Sequence, residues 1–192
     1  GRVEAAQIEM FDKAILARGV NLLSSAAAQG KLGDIIPLLF NCSTQTVALK
    51  TLVKGHLVEF LSQRIKLEDL AVLHRDITPV ALLDEVSLNA IETDPVSGAL
   101  LQDIKVLQAC SVETLGDTAN VRLQAVVVGK ADALLDSVKD QASFKAIVAI
   151  LSKCDLNSSG VQAIESYVDL NLPSLLENGI SFVDIAAAYP AG

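Results

Sequence analysis

The sequence predicts an α+β fold in which an antiparallel sheet, between about residues 65 and 131, lies among amphipathic helices. Three observations predict it. Apolar and polar residues alternate in Ile65-Lys66-Leu67, Val86-Ser87-Leu88-Asn89-Ala90, Ile104-Lys105-Val106 and Val121-Arg122-Leu123-Gln124-Ala125-Val126, the pattern of strands with one buried face. Turn-forming residues punctuate these runs at Thr78-Pro79, Thr93-Asp94-Pro95, Ser97-Gly98 and Gly116-Asp117. Helical spacing of Leu, Ile and Ala occupies the chain on either side. The 192 residues suit one domain, read as a helical lead (1–63), a strand-rich block (64–132) and a helical return (133–192).

Val3 to Arg18 reads as an amphipathic helix with Ile8, Phe11 and Ile15 on one face and Gly19 as its stop. A second helical pattern runs from Asn21 to Phe40, interrupted by Gly30, Gly33 and Pro37, and a third from Thr46 to Gln63, where Val47, Leu49, Leu52, Val53, Leu57, Phe60 and Leu61 form a broad apolar face. Beyond Ala133 the helical period returns through Leu134, Leu135, Val138, Ile147, Val148, Ile150 and Leu151, then Val161, Ile164 and Leu170, ending near Pro173, Asn178 and Gly179.

An internal similarity supports an alternative, an all-α helical repeat. Without gaps, Leu22, Leu23, Ile35, Ile36, Leu38, Leu39 and Cys42 match Leu134, Leu135, Ile147, Val148, Ile150, Leu151 and Cys154. After a three-residue shift, Leu57, Phe60, Leu61, Ile65 and Asp69 match Leu172, Leu175, Leu176, Ile180 and Asp184. Duplication of a helical unit is how such repeat proteins are built.

Composition narrows the function. The chain is 51% hydrophobic with only 4% aromatics, so its apolar mass is aliphatic, and its mean hydropathy is +0.44. A net charge of −8 and the absence of any run of five basic residues argue against nucleic acid or an anionic membrane surface as partner. Stretches such as Ala146-Ile147-Val148-Ala149-Ile150-Leu151 fall far short of the roughly 20 apolar residues that span a bilayer, so no transmembrane segment is expected. The start, Gly1-Arg2-Val3-Glu4, has no apolar signal region and fits a mature processed chain or a cytosolic one.

Residues for catalysis are sparse. His56 and His74 are the only imidazoles and lie in no nucleophile or metal motif; His56, beside Gly55 and Glu59, reads as a surface residue. There is no Gly-x-Ser-x-Gly elbow, phosphate loop or dinucleotide fingerprint, and Gly30-x-x-Gly33 is only a loop. The carboxylate groups Asp84-Glu85 and Glu92/Asp94 flank turns and are expected to be solvated. No enzyme, cofactor or metal is expected. Cys42, Cys110 and Cys154 fit no zinc spacing; any two are disulfide candidates, and the odd thiol leaves a covalent homodimer open. Cys110 reads as a buried thiol or half of a disulfide. The sequons Asn41-Cys42-Ser43 and Asn157-Ser158-Ser159 make Asn41 and Asn157 glycosylation candidates and point to secretion.

Several segments together carry a family resemblance. Ile65-Lys66-Leu67-Glu68-Asp69-Leu70, Thr93-Asp94-Pro95-Val96-Ser97-Gly98-Ala99, Asp103-Ile104-Lys105-Val106 and Val121-Arg122-Leu123 running to Gly129 resemble the strand region of the PLUNC and latherin proteins. These are short members of the bactericidal/permeability-increasing protein superfamily, of the fold called TULIP. Leu172-Pro173-Ser174-Leu175-Leu176-Glu177-Asn178-Gly179-Ile180 is similar to the closing segment of such domains. The resemblance covers about two thirds of the chain in scattered apolar and turn positions. The family's disulfide from the last long strand to the next helix would need a cysteine where Ala131 stands, so Cys154 would have to pair with Cys42 or Cys110.

The resemblance implies a curled antiparallel sheet wrapped around a helix, and a secreted, non-enzymatic carrier of lipids or other small hydrophobic molecules, or a surfactant. Its lining would be the inward strand positions Leu88, Ala90, Ile104, Val106, Leu123, Val126 and Val128, with Leu57, Leu61 and Ile147 as a lid. The all-α alternative implies instead a module that holds a protein partner on its Leu/Val faces.

Overall fold

A computed structural model describes residues 2–154 and 159–188. It is 81% helical, and among the described residues there is no strand. The α+β sheet and with it the TULIP-type architecture are therefore overturned in favour of the all-α alternative. The helices are α1 (Arg2–Leu16), α2 (Gly19–Gln29), α3 (Leu32–Phe40), α4 (Thr46–Gly55), α5 (Leu57–Ser62), α6 (Leu67–His74), α7 (Pro79–Leu83), α8 (Asn89–Thr93), α9 (Gly98–Ala109), α10 (Val112–Leu115), α11 (Asp117–Gly129), α12 (Ala131–Asp136), α13 (Gln141–Leu151), α14 (Ser159–Glu177) and α15 (Phe182–Ala188). A 3-10 turn, Ser43–Gln45, precedes α4, and a π-helical turn, Asp84–Leu88, follows α7.

Each expected strand fails for a physical reason. Ile104-Lys105-Val106 lies within α9, where burial follows Leu100, Ile104 and Leu107, a spacing of four then three that only a helix brings to one face. Val121–Val126 lies in α11, whose buried positions are Ala119, Leu123, Val126 and Val127, while Val121 faces out. Val86–Ala90 is divided between the π turn and α8. In Ile65-Lys66-Leu67 the alternation is real but local: Ile65 and Leu67 are buried around an extended Lys66 that leads into α6.

The chain divides into two compact units, Gly1–Ser87 with Ala109–Ala119, and Leu88–Gln108 with Asn120–Gly192. In the first, α2 packs on α3, and α6 is surrounded by α3, α4, α7 and α10. Leu23, Leu39, Leu49, Val53, Phe60, Leu70 and Leu73 are fully inside it. α1 is held against the 3-10 turn by Asp12, a buried carboxylate whose Oδ2 accepts from the Thr44 amide at 3.1 Å and the Thr44 hydroxyl at 2.7 Å. Of the apolar face expected on this helix, Ile8 and Phe11 are exposed. In the second unit α12, α13, α14 and α15 pack in succession, and the core holds Ile104, Leu107, Leu134, Phe144, Ile147 and Ile164.

The duplication read in the sequence recurs in the backbone. Both α5 and α14 end in a Schellman-type turn: Arg64 has φ 66° and Gly179 φ 78°, the amide of Ile65 donates to Phe60 O at 3.1 Å, and that of Ile180 donates to Leu175 O at 3.0 Å. Both α6 and α15 then begin two residues after the buried isoleucine. Cys42 and Cys154 are both buried, and each thiol donates to the carbonyl four residues back at 3.6 Å. A third copy had no counterpart in the sequence reading. Leu49, Val53, Leu57, Phe60 and Leu61 of α4 and α5 recur as Leu123, Val127, Ala131, Leu134 and Leu135 of α11 and α12, all buried, with the break at Gly55-His56 matched by Gly129-Lys130. The spacing Leu39-x-x-Cys42 likewise recurs as Leu107-x-x-Cys110 and Leu151-x-x-Cys154.

Candidate interaction surface

Two grooves flank α14 in the second unit. This 19-residue helix continues through Pro173, and it buries Gly160, Ile164, Val168 and Leu175 along one stripe. Its remaining faces are free to form groove walls.

Against α12 lies a polar groove of about 570 Å³, lined by Asp132 and Asp136 from one helix and by Ser159, Gln162, Ser166, Tyr167, Leu170 and Asn171 from the other. Asp132 and Asp136 are one turn apart, so both carboxylates lie on the same side of α12. Burial, aided by the charge of Asp136, holds the Tyr167 phenol above its ordinary range. Leu170 is 82% exposed at the groove edge.

Against α15 lies an apolar groove of about 340 Å³, lined by Val168, Leu172, Phe182, Ile185 and Ala186. Val168 and Ile185 form its buried floor, whereas Phe182 is 67% exposed and the adjacent Val183 75%. Polar contacts fix α15: Ser181 Oγ donates to Asp184, whose other carboxylate oxygen receives Lys145 Nζ at 2.9 Å. Hydrogen bonds from Ser181 and Lys145 hold the Asp184 carboxyl below its ordinary range. The floor of this groove is buried and its rim is apolar.

A further cleft in the first unit, about 360 Å³, lies between the starts of α6 and α7 on one side and α10 with the start of α11 on the other. Lys66 and Glu113 at its mouth form an ion pair at 3.3 Å.

The expected lipid-lining residues are not brought together on one sheet face. Leu57 and Leu61 lie in α5, Leu88 in the π turn, Ala90 in α8, Ile104 and Val106 in α9, Leu123, Val126 and Val128 in α11, and Ile147 in α13. Leu57, Leu61, Leu88, Ile104, Leu123, Val126 and Ile147 are buried, while Ala90, Val106 and Val128 are half-buried. The grooves and cleft described above are lined by other residues.

The disulfide candidates are corrected as well. Cys42, Cys110 and Cys154 are thiols. Burial pushes all three above the ordinary thiol range, reinforced at Cys42 by the charge of Asp12. Cys154 also receives a hydrogen bond from Gln108 Nε2 at 3.5 Å, and the same amide donates to Ile150 O at 2.9 Å. Asn41 of the first sequon is exposed at the end of α3, and Asn157 of the second lies outside the described residues. His56 is half-buried and paired with Glu59 at 2.9 Å. Glu85 meets Lys54 at 2.5 Å, and Glu92 meets Arg122 at 3.1 Å. Among the described residues no group of His, Cys, Asp or Glu is arranged to hold a metal ion, and no helix is long and apolar enough to cross a membrane.

No protein-family model, curated protein or solved structure matches this chain.

Sequence reasoning missed the grooves because it assigned the aliphatic residues of α9 and α11 to a pocket. The usable signal lay elsewhere: Phe182-Val183 is an apolar pair in a short helix whose buried stripe is already supplied by Ile185 and Ala188.

Proposed function

We propose that this chain is a helical-repeat protein-interaction module, binding polypeptide partners in the grooves beside α14 without covalent chemistry. The observation that carries the reading is the recurrent helical pattern, in which buried positions return along the chain, with the helix break repeated in α11–α12 and the helix-ending turn repeated after α14. Repeats of this kind bury a continuous core through neighbouring helices and leave elongated surfaces for partners. The interval of 44 residues between Cys110 and Cys154 falls within the repeat length of two- and three-helix solenoids. The two grooves supply complementary chemistry, one polar with paired carboxylates and one apolar. That combination suits a peptide anchored by apolar side chains and oriented by polar ones.

A photo-crosslinking residue at Leu170 tests this directly. The expected result is discrete protein adducts in extract, absent when the same group replaces exposed Lys31, together with an apo mass by native mass spectrometry. Stoichiometric lipid released on organic extraction, with no protein adducts from position 170, would return the chain to the carrier reading.

A further inference from the structure

At the end of α6 the segment His74-Arg75-Asp76 turns sharply in a conformation that costs free energy. Arg75 has φ 76° and ψ −44°, and the Asp76 amide donates to His74 O at 3.1 Å. These are the marks of the γ-turn with positive φ, which is rare and strained for a residue with a side chain. Two contacts hold the turn in place. The Arg75 guanidinium lies over the Phe40 ring at the end of α3, 4.4 Å from its centroid, and donates to Phe40 O. Asp76 is paired with Lys50 of α4. Strain of this kind persists only while the surroundings enforce it.

A buried base sits beside the strained residue. His74 is 6% exposed, and among the described residues neither of its ring nitrogens has a hydrogen-bond partner. A neutral imidazole is tolerated there, whereas an imidazolium needs water or a carboxylate. Burial resists the added proton, as do Lys54 and Lys50 of α4, while Glu85 of the π turn and Asp76 favour it. Both carboxylates are already engaged by those lysines, Asp76 by Lys50 and Glu85 by Lys54 at 2.5 Å. The other neighbours of α6 offer no further carboxylate at this end. α7 has no titratable residue, Asp34 stands in the first turn of α3, and Glu113 of α10 pairs with Lys66 at the opposite end of α6, where Glu68 and Asp69 also lie. Stabilising the charge therefore requires either that a carboxylate leave its lysine or that the last turn of α6 unwind toward water.

We propose that residues 74–76 form a proton-operated release: protonation of His74 opens the last turn of α6, freeing Arg75 from Phe40 and Asp76 from Lys50, while the rest of the first unit stays folded. Relief of the strained turn favours the open form. The opening is confined to this end because Leu67 and Leu70, earlier in α6, remain buried. The loosened segment leads directly into α7, which begins at Pro79. The device acts independently of what the grooves beside α14 bind.

Hydrogen exchange resolved by NMR, on the full chain, tests the proposal. At pH 7.5 the Arg75 and Asp76 amides are expected to exchange faster than the Leu70 amide, which donates to Lys66 O near the start of the same helix. Dilute urea leaves their rates unchanged, the mark of a local opening. After correction for intrinsic exchange, moving to pH 5.0 accelerates both at least about threefold; about thirtyfold is the limit for one group whose open-state value is about 6.5. His74→Gln abolishes the acceleration, and His56→Gln retains it. The latter variant also assigns the two sets of ring signals, and those of His74 titrate with a midpoint below about 6.5. Should His74→Gln fail to fold, the wild-type exchange and titration still decide. The proposal is overturned if the acceleration is absent or survives His74→Gln, or if the His74 midpoint lies at or above its ordinary value. It is overturned equally if Arg75 and Asp76 share the urea dependence of Leu70, since the proton would then act only on global stability.

Discussion

Both ring nitrogens of His74 are buried in the last turn of α6, and neither has a hydrogen-bond partner. Burial holds this imidazole below its ordinary range; the charges of Lys54 and Lys50 on α4 act in the same direction, and Glu85 and Asp76 act against it. The folded state therefore binds the proton less readily than the unfolded chain. Stability is fully present above the unfolded value of about 6.5 and falls as the pH drops below it, by about 1.4 kcal/mol for each unit of depression. Chemical denaturation at pH 7.5 and 5.0 should show this loss, and His74→Phe should flatten the slope between them. Asp76 and Glu85 are held below the ordinary carboxylate range by their lysine partners, so their contribution is lost only in stronger acid, outside that window. A second residue-level expectation concerns Asp12. Removing its carboxylate with Asp12→Ala leaves the Thr44 amide without its acceptor, at a cost of about 1–3 kcal/mol. Hydrogen exchange should report it as faster opening of α1. Neither residue was legible in its role: an isolated His or Asp within a helix carries no sequence mark of whether its neighbours will bury it.

At the scale of helices, legibility depended on length. α3 lies within the expected helical segments and α1 nearly so, α2 begins at Gly19, the residue expected to stop the first helix, and the Thr46–Gln63 segment forms α4 and α5 with a break at His56. Each spans enough turns for the 3.6-residue period to show. In Ile104-Lys105-Val106 three residues satisfy both periods, and only the wider set Leu100, Ile104 and Leu107 separates them. The duplication was visible because Leu-rich positions repeat at fixed offsets, but the α11–α12 copy was hidden because the α11 part was read as a strand. Helix ends give the sharpest contrasts. Arg64 adopts a positive φ where its counterpart is Gly179, so Arg64→Gly is expected to stabilise the first unit by about 1 kcal/mol. Gly160 has no such freedom to exchange, because an added Cβ would lie 2.1 Å from Leu151 O. Gly160→Ala is expected to cost at least about 2 kcal/mol, whereas Gly55→Ala, which meets nothing within 4 Å, should be neutral or slightly stabilising. Urea midpoints of the three variants would rank them.

For the whole chain, composition excluded more than it identified. High aliphatic content and net negative charge are as compatible with a stack of amphipathic helices as with a lipid cavity, because both bury Leu, Val and Ile. What distinguishes them is whether the apolar positions line a void or one another, and Leu57, Ile104, Leu123 and Ile147 are buried in separate helices. The units are also interleaved along the chain: the first needs Ala109–Ala119, which follows a stretch belonging to the second. A fragment of residues 1–87 lacks α10, which packs on α6, and is expected to melt with low cooperativity and bind a hydrophobic dye. A fragment of residues 1–119 is expected to melt cooperatively. Thermal circular dichroism of the two provides the comparison.

That interleaving sets an order of events on the ribosome. When Ser87 has left the exit tunnel, α6 is outside the ribosome but α10 has not yet emerged, so the first unit cannot close. At about 5–20 residues per second, the missing segment follows some 2–6 s later. Throughout that interval α6 lacks the packing that α10 supplies. The nascent chain would spend this time as a substrate for chaperones that recognise exposed leucine, and Leu115 would release it.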